Sequence, residues 1–344
     1  MTLQQMQDAP ATEERRNPDR NLALELARVT EAAAMAAARW MGRGDKNASD
    51  QAAVDAMRFM LGTVEMDGIV IIGEGEKDEA PMLYNGERVG TGQGMVVDVA
   101  VDPIDGTTLT AHGLPGAITV IAIAEGRGTM YDPGPFVYMD KIAVGPDAAG
   151  LIDLDAPIAD NLKKIAKARG KEIGELRCLI LDRDRNRRHI EEVRAVGARI
   201  SLFRDGDVAA AIATAEDDEE VDVMLGIGGS PEAVIAAAAL KCMGGEIQCR
   251  LWARNEEEKL RAQDMGTDLT RVLTTNDLVS SDNVFFAATG VTGGEFLKPV
   301  VFTGSDHATT HSVIMRSKTG SIRYMEAKHD LRRLRELSED GILD

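Results

Sequence analysis

The chain has 344 residues, which at about 150 residues per domain means two domains or one two-lobed unit. With 44% hydrophobic and 28% charged residues its composition is that of a globular protein, and the formal net charge of −18 argues against a general nucleic-acid binder or a protein that docks on anionic membranes. Aromatic residues make up only 4%, too few for a base-stacking surface.

Residues 1–16 are polar and read as a flexible N-terminus with neither a basic n-region nor an apolar h-region, so the expected compartment is the cytoplasm. Asn17-Pro18 has the form of a cap followed by proline in the first turn, and the apolar spacing from Leu22 to Trp40 predicts one long amphipathic helix that stops at Gly42 and Gly44. A second helix is expected over 49–64. Ile69 to Ile72 and Met95 to Val101 have strand composition, and both runs end in acidic residues, Gly73-Glu74-Gly75-Glu76 and Asp102-Pro103. Further strands are expected at 117–124 and 137–144, with a passage to a second lobe near 150–159.

From Pro157 the pattern alternates: helix 158–169, strand 177–182, helix 187–196, strand 199–203, helix 207–214, strand 221–226, helix 230–243 and strand 246–250. Such alternation predicts a mostly parallel sheet with ligands at strand C-termini. Strands near 284–288 and 311–326 and a charged tail, 327–344, close the chain. The lobes expected are thus 17–156 and 157–326.

The densest chemistry lies in Asp98-Val-Ala-Val-Asp102-Pro-Ile-Asp105-Gly106-Thr107-Thr108. In a strand Asp98 and Asp102 share a face, and carboxylates in so apolar a run repel one another unless a cation joins them. The plainer reading is a strand stop and an Asp-Gly turn; the hydroxyls directly after the carboxylates favour a hard-metal site, because a threonine there can orient water. Gly226-Ile-Gly-Gly-Ser-Pro-Glu232 follows a strand and opens a helix, with Ser230 as cap and Pro231 first. It lacks the glycine spacing of a dinucleotide fingerprint and places an acid where a pyrophosphate would sit. Asp45 to Ala56 and Asp182 to Val193 fail as EF-hand loops. The second instead concentrates Arg183, Arg185, Arg187 and Arg188, either a cationic phosphate pocket or a solvated helix start. His307 and His311 sit in a strand-like context that disfavours a zinc pair. Cys178, Cys242 and Cys249 read as reduced, buried residues.

Asp102-Pro-Ile-Asp105-Gly-Thr107 with a Glu-bearing strand end upstream resembles the metal-dependent, lithium-sensitive phosphomonoesterases. Trp40 to Asn47, Ile72 to Tyr84, Asp205-Gly206-Asp207 and Gly226 to Glu232 look like the class II bacterial fructose-1,6-bisphosphatases over about residues 20–326. The resemblance implies a layered α-β-α-β-α fold in a homo-oligomer, dimer or tetramer. It implies hydrolysis of fructose 1,6-bisphosphate in gluconeogenesis with two or three Mg²⁺ or Mn²⁺ ions. Metal ligands would be Asp50, Glu74, Asp102, Asp105 and Glu232. Substrate contacts would be Asp105, Gly106, Thr107, Tyr138, Arg183, Asp184, Arg185, Asp205, Gly206, Asp207 and Gly229. Thr107, Lys46 and Asp50 match catalytic positions. The arginine loop departs from the shorter form of relatives, so which arginine meets the distal phosphate stays open. Sedoheptulose 1,7-bisphosphate or an inositol phosphate is an alternative substrate, a sugar-phosphate-binding or metal-binding regulator a different class of protein, and a dinucleotide-dependent oxidoreductase a third reading.

Overall fold

A computed structural model describes residues 21–75, 82–216 and 220–337. The N-terminal segment 1–16, the cap at Asn17-Pro18, residues Glu76 to Pro81 of the acidic turn and the end of the tail lie outside the described residues.

Two sheets form the frame. The strands of the first are β1 (Met66–Ile72), β2 (Arg88–Val89), β3 (Met95–Asp105) and β4 (Ile118–Glu125), and the next strand, β5 (Tyr138–Val144), belongs to the second. That second sheet adds β6 (Arg177–Leu181), β7 (Arg199–Phe203), β8 (Val223–Gly229), β9 (Glu246–Leu251) and β10 (Leu273–Thr274). The chain then returns to the first sheet with β11 (Val284–Gly290), β12 (Val301–Thr303), β13 (His307–Arg316) and β14 (Ser321–Asp330). The orders are β12-β13-β11-β4-β3-β1-β2, with β14 on β13, and β10-β9-β5-β8-β6-β7.

The helices are α1 (Ala23–Ala38), α2 (Lys46–Leu61), α3 (Thr107–His112), α4 (Ile158–Arg169), α5 (Arg187–Ala195), α6 (Asp207–Ala213), α7 (Ser230–Met243), α8 (Glu256–Met265), α9 (Thr275–Leu278) and α10 (Leu331–Leu337). Helices α1 and α2 cover the outer face of the first sheet, α6 and α7 fill the gap between the sheets, and α4 and α5 cover the outer face of the second. This is the expected α-β-α-β-α layering. Its middle layer is legible in α7, whose run from Ala233 to Leu240 is buried all round, as a helix between two sheets requires; its alanines let both sheets approach. Strand β4 is buried on both faces, with Val120 and Ala122 in the inter-sheet core and Ile121 and Ile123 in the core under α1.

Four expectations are corrected. The second sheet is mixed: β6 runs parallel to β7 and β8, whereas β5 pairs antiparallel with both β8 and β9. The alternating segment does send β6, β7, β8 and β9 in one direction, but β5, arriving from earlier in the chain, wedges between two of them. The strand at 95–101 does not stop at Asp102-Pro103. It runs to Asp105 through a bulge, with Asp102 opposite Val120 and Asp105 opposite Ile118, and a bulge is where a strand tolerates a proline without an N–H. The strand expected over 311–326 is a hairpin of β13 and β14, turning at Gly320 with φ +58°. The tail begins later than 327, because β14 reaches Asp330 and α10 follows.

Asp98 and Asp102 do share a face, but Asp98 does other work. Its Oδ2 accepts from the N–H of Thr129 at 2.6 Å, the Thr129 hydroxyl at 3.1 Å and the N–H of Met130 at 3.2 Å, latching the loop after β4 to β3. Replacing Asp98 with Ala leaves these donors unpaired, and unfolding in urea should show a loss of about 2–4 kcal/mol. No helix among the described residues is long and apolar enough to cross a membrane.

Candidate active site

The site is assembled at the end of β3, where the chain leaves the sheet. Within the bulge, Asp102 accepts from the N–H of Ile104 at 3.0 Å, and just after it Gly106 takes φ +105°, a conformation that glycine adopts without a Cβ penalty. This reversal starts α3, with half-buried Thr107 in its first turn. The loop between α1 and α2 is clamped onto α3 by N–H groups of Gly42 and Gly44 that donate to Thr110 O and Ala111 O at 2.9 and 2.8 Å. Lys46 thereby reaches this end of the molecule. Its ammonium donates to the hydroxyl of Thr108 at 2.8 Å, leaving Thr107 to the site. Helix α2 begins at Lys46, earlier than expected, because Asp45 caps it by accepting from Ala48 N at 3.0 Å; Asp50 lies one turn in, half-buried.

Glu74 arrives from β1. Its N–H donates to Leu83 O at 2.9 Å, and a Cβ on Gly73 would lie 1.9 Å from that same oxygen, so the returning chain packs directly against a bare glycine. Leu83 carries φ +53°, an uncommon conformation for a residue with a Cβ, and is held there by complete burial.

The opposite wall comes from the second sheet. Gly229 caps α7, so Ser230 and Pro231 occupy its first two positions, one step later than expected, and Glu232 sits in the first turn. A Cβ on Gly228 would stand 1.8 Å from Asp207 Oδ2, and one on Gly229 1.7 Å from Glu232 Oε2. The glycines thus make room for carboxylates. Asp207 opens α6 behind Gly206, whose φ is +94°. Its Oδ2 accepts from Lys141 Nζ at 2.7 Å and Gly229 N at 3.1 Å. Asp105 is tied to the same helix, its Oδ2 accepting from Val208 N at 3.1 Å.

The cationic side rests on Asn186. Buried at the start of α5, it donates to Leu181 O and Ile227 O at 2.9 and 3.1 Å and accepts from Ile227 N at 2.6 Å, fastening the arginine loop to β8. Arg185 donates its Nε to Ile227 O at 3.0 Å and lays its guanidinium 4.2 Å from the centre of the Tyr138 ring; Trp252 meets that ring edge-on at 6.2 Å. One open cleft of about 360 Å³ is lined by Asp105, Tyr138, Arg183, Arg185, Asp205, Asp207, Gly229, Pro231 and Glu232, together with Val137 and Leu181. The arginines at its wall are 183 and 185. Arg187 pairs instead with Asp184, Arg188 with Glu192, and Asp184 is fully exposed away from the cleft.

Electrostatics single out the acids. Burial pushes Glu74 up to about 7, with the charge of Asp50 adding to it, and burial likewise raises Asp50. Asp102 is held well above the carboxylate range by desolvation and then by Asp105, Glu232, Glu74 and Asp50; Asp105 by desolvation and then by Glu232, Asp207 and Asp205. Glu232 is raised by burial although Lys141 opposes the shift, and its Oε2 is buried without a hydrogen-bond partner among the described residues. Groups in this state call for a cation. The donors are all carboxylate oxygens, the set that hard divalent ions prefer. Among the described residues no three close into a ready cage, while two of the five acids, Asp105 and Glu232, line the cleft. Gly229 has φ −64° and ψ 141°, open to any residue, so only contact opposes a side chain there. Replacing Gly229 with Ala should displace Glu232 and lower phosphate release at least about tenfold while circular dichroism stays unchanged.

Three residues escape the sequence reading: Lys141, Asn186 and Trp252. Lys141 had a signal, since in Tyr138-Met-Asp-Lys-Ile-Ala-Val144 it occupies the inward register of Met139 and Ala143, where a charge needs a buried partner. Trp252 had none. The thiols are inert: all three are buried and unbridged, and burial pushes each up to about 12.

A family model described as bacterial fructose-1,6-bisphosphatase, glpX-encoded, matches residues 20–329. Fructose-1,6-bisphosphatase 1 class 2 of Escherichia coli (strain K12) is 46% identical over 327 residues, covering 91% of this chain and 96% of the relative. The class 2 enzymes of Escherichia coli O6:H1 and Shigella flexneri match at the same identity and coverage. The carboxylate row facing two arginines and a family match along nearly the whole chain agree, and this chain belongs to the bacterial fructose-1,6-bisphosphatase family.

Proposed function

We infer that this chain hydrolyses fructose 1,6-bisphosphate to fructose 6-phosphate and phosphate, the phosphatase step of gluconeogenesis, in a metal-dependent reaction. The observation that carries this reading is one cleft lined both by raised carboxylates, Asp105 and Glu232, and by two arginines, Arg183 and Arg185. A bisphosphate has two anionic ends, and only such a site treats them differently.

Asp50, Glu74, Asp102, Asp105 and Glu232 would hold the cations, two or three Mg²⁺ or Mn²⁺ ions, which when bound would neutralise the scissile phosphate and make water a nucleophile near neutral pH. The protein's own groups supply the rest. Thr107, at the mouth of α3, orients the attacking water, and Lys46 secures that turn through Thr108. The water oxygen bonds to phosphorus in line as the phosphorus bond to the sugar C1 oxygen breaks; a nearby carboxylate takes the water's proton and returns it to the departing C1 oxygen, which leaves as the hydroxyl. Arg185, stiffened by Tyr138 and Ile227 O, grips the distal phosphate with its remaining N–H groups, a geometry that suits a planar guanidinium. Arg183 sits beside it at the rim. Asp205 and Asp207 accept from sugar hydroxyls, while Gly106 and Gly229 let the backbone come close.

Replacing Asp102 with Asn should lower phosphate release from fructose 1,6-bisphosphate by about 10²–10³-fold or more with the unfolding midpoint preserved; full turnover would remove Asp102 from the reaction. Replacing Arg185 with Ala should raise KM for the bisphosphate about 10–100-fold and leave turnover of fructose 1-phosphate, which has no distal phosphate, nearly unchanged. A phosphate-release panel that includes sedoheptulose 1,7-bisphosphate and an inositol phosphate reads out the substrate range directly.

A further inference from the structure

The cleft has a cation beneath it that no substrate can touch. Lys141 lies in the middle of β5 with its side chain 1% exposed, and its ammonium meets Asp207 Oδ2 at 2.7 Å. The same oxygen takes the N–H of Gly229 at 3.1 Å. Both inward donors thus converge on Oδ2, and Oδ1, which has no partner among the described residues, is the oxygen left to the cleft that Asp207 lines. The carboxylate also rests on the bare α-carbon of Gly228, where a Cβ would stand 1.8 Å from Oδ2 and 3.0 Å from Lys141 Nζ. Asp207 is therefore fixed on three sides by an ammonium, an amide and a glycine surface. Asp105 and Glu232 stand on its remaining flank, and Asp207 is among the charges acting on both. A carboxylate in such company turns away from its neighbours unless something holds it.

We propose that Lys141 is a positioning residue for sugar recognition: buried beneath the cleft, it locks the Asp207 carboxylate so that the oxygen facing the cleft reads one hydroxyl of the sugar. This rests on the reading that Asp207 accepts from the sugar. A hydroxyl bound by a fixed acceptor discriminates strongly against an analogue without it, because the acceptor is then left unpaired; a swivelling carboxylate finds water instead and discriminates weakly.

The test compares kcat and KM for fructose 1,6-bisphosphate and for its 3-deoxy and 4-deoxy analogues, in full-length wild type and in Asp207→Asn, Lys141→Met and the charge-neutral double variant Lys141→Met/Asp207→Asn. The wild type should prefer the natural substrate over one of the two analogues by at least about 100-fold in kcat/KM. Lys141→Met should shrink that preference to below about tenfold by raising KM for the natural substrate while kcat stays within about threefold, and the double variant should lose no more than Lys141→Met alone, since one unit is removed in both. Lys141→Met leaves a buried carboxylate without its cation; if that variant does not fold, the double variant is set against Asp207→Asn: equal kcat and KM support a role exerted through Asp207, and a further loss of more than about threefold in kcat/KM overturns the proposal. Full preference in Asp207→Asn overturns the underlying reading that Asp207 contacts the sugar. Lost preference in Asp207→Asn with full preference in Lys141→Met leaves that reading standing and overturns the role of Lys141 alone.

Discussion

Five carboxylates, on Asp50, Glu74, Asp102, Asp105 and Glu232, are drawn by four elements to one end of the gap between the sheets, where burial raises the proton affinity of each and neighbouring carboxylates add to it at all but Asp50. Left to itself this arrangement opposes folding, since like charges withdrawn from water gain nothing from proximity. The fold holds it with strong local devices: a bulge at Asp102 to Asp105, left-handed glycines at 106 and 206, and bare glycines at 73, 228 and 229 against which backbone or carboxylates pack. On the proposed reading, divalent cations would turn the same repulsion into binding energy, and an acidic chain could hold a doubly phosphorylated sugar because the charge that a phosphate meets would be the metal's.

The two sheets divide the work. The first supplies the acids through the ends of β1 and β3 and through α2, which packs on its outer face. The second supplies Tyr138 on its outer side, with Arg185 against the ring, and Lys141 on its inner side, as the alternation along β5 dictates for the two β5 residues. Helices α6 and α7, wedged between the sheets, carry Asp207 and Glu232 in their first turns, so the middle layer sets the distance between the acidic and cationic ends. Asn186 anchors the loop that carries Arg185 to the very strand that leads into Glu232, and the two ends of the cleft therefore share one backbone.

Local sequence carried much of this. The helices at 158–169 and 230–243 and the strand at 199–203 match the expected bounds, because caps, glycines and apolar period act within a few residues of the chain. What pairs with what across the fold is another matter. The insertion of β5 between β8 and β9 is a long-range event with no local signature, and Asp98, read as a companion of Asp102, is claimed by donors some thirty residues on. Pro103 has the look of a strand stop but lies in a bulge, since the strand's other side still has β4 to pair with. Among the arginines spacing alone offered four; the structure leaves 183 and 185 at the cleft because Asp184 and Glu192 occupy the others. Lys141 was visible only as a charge in an apolar register.

The central claim is that these carboxylates are gathered to hold divalent cations at the scissile end of the substrate. Its most direct test is a Mn²⁺ titration followed by electron paramagnetic resonance of the free ion, with phosphate release measured on the same samples, in wild type and in the variant Glu232→Gln. The account predicts that the wild type takes up at least two Mn²⁺ ions with activity rising in step, and that Glu232→Gln loses at least one of them together with the activity. Full activity in metal-stripped protein, or unchanged Mn²⁺ uptake in Glu232→Gln, would contradict it.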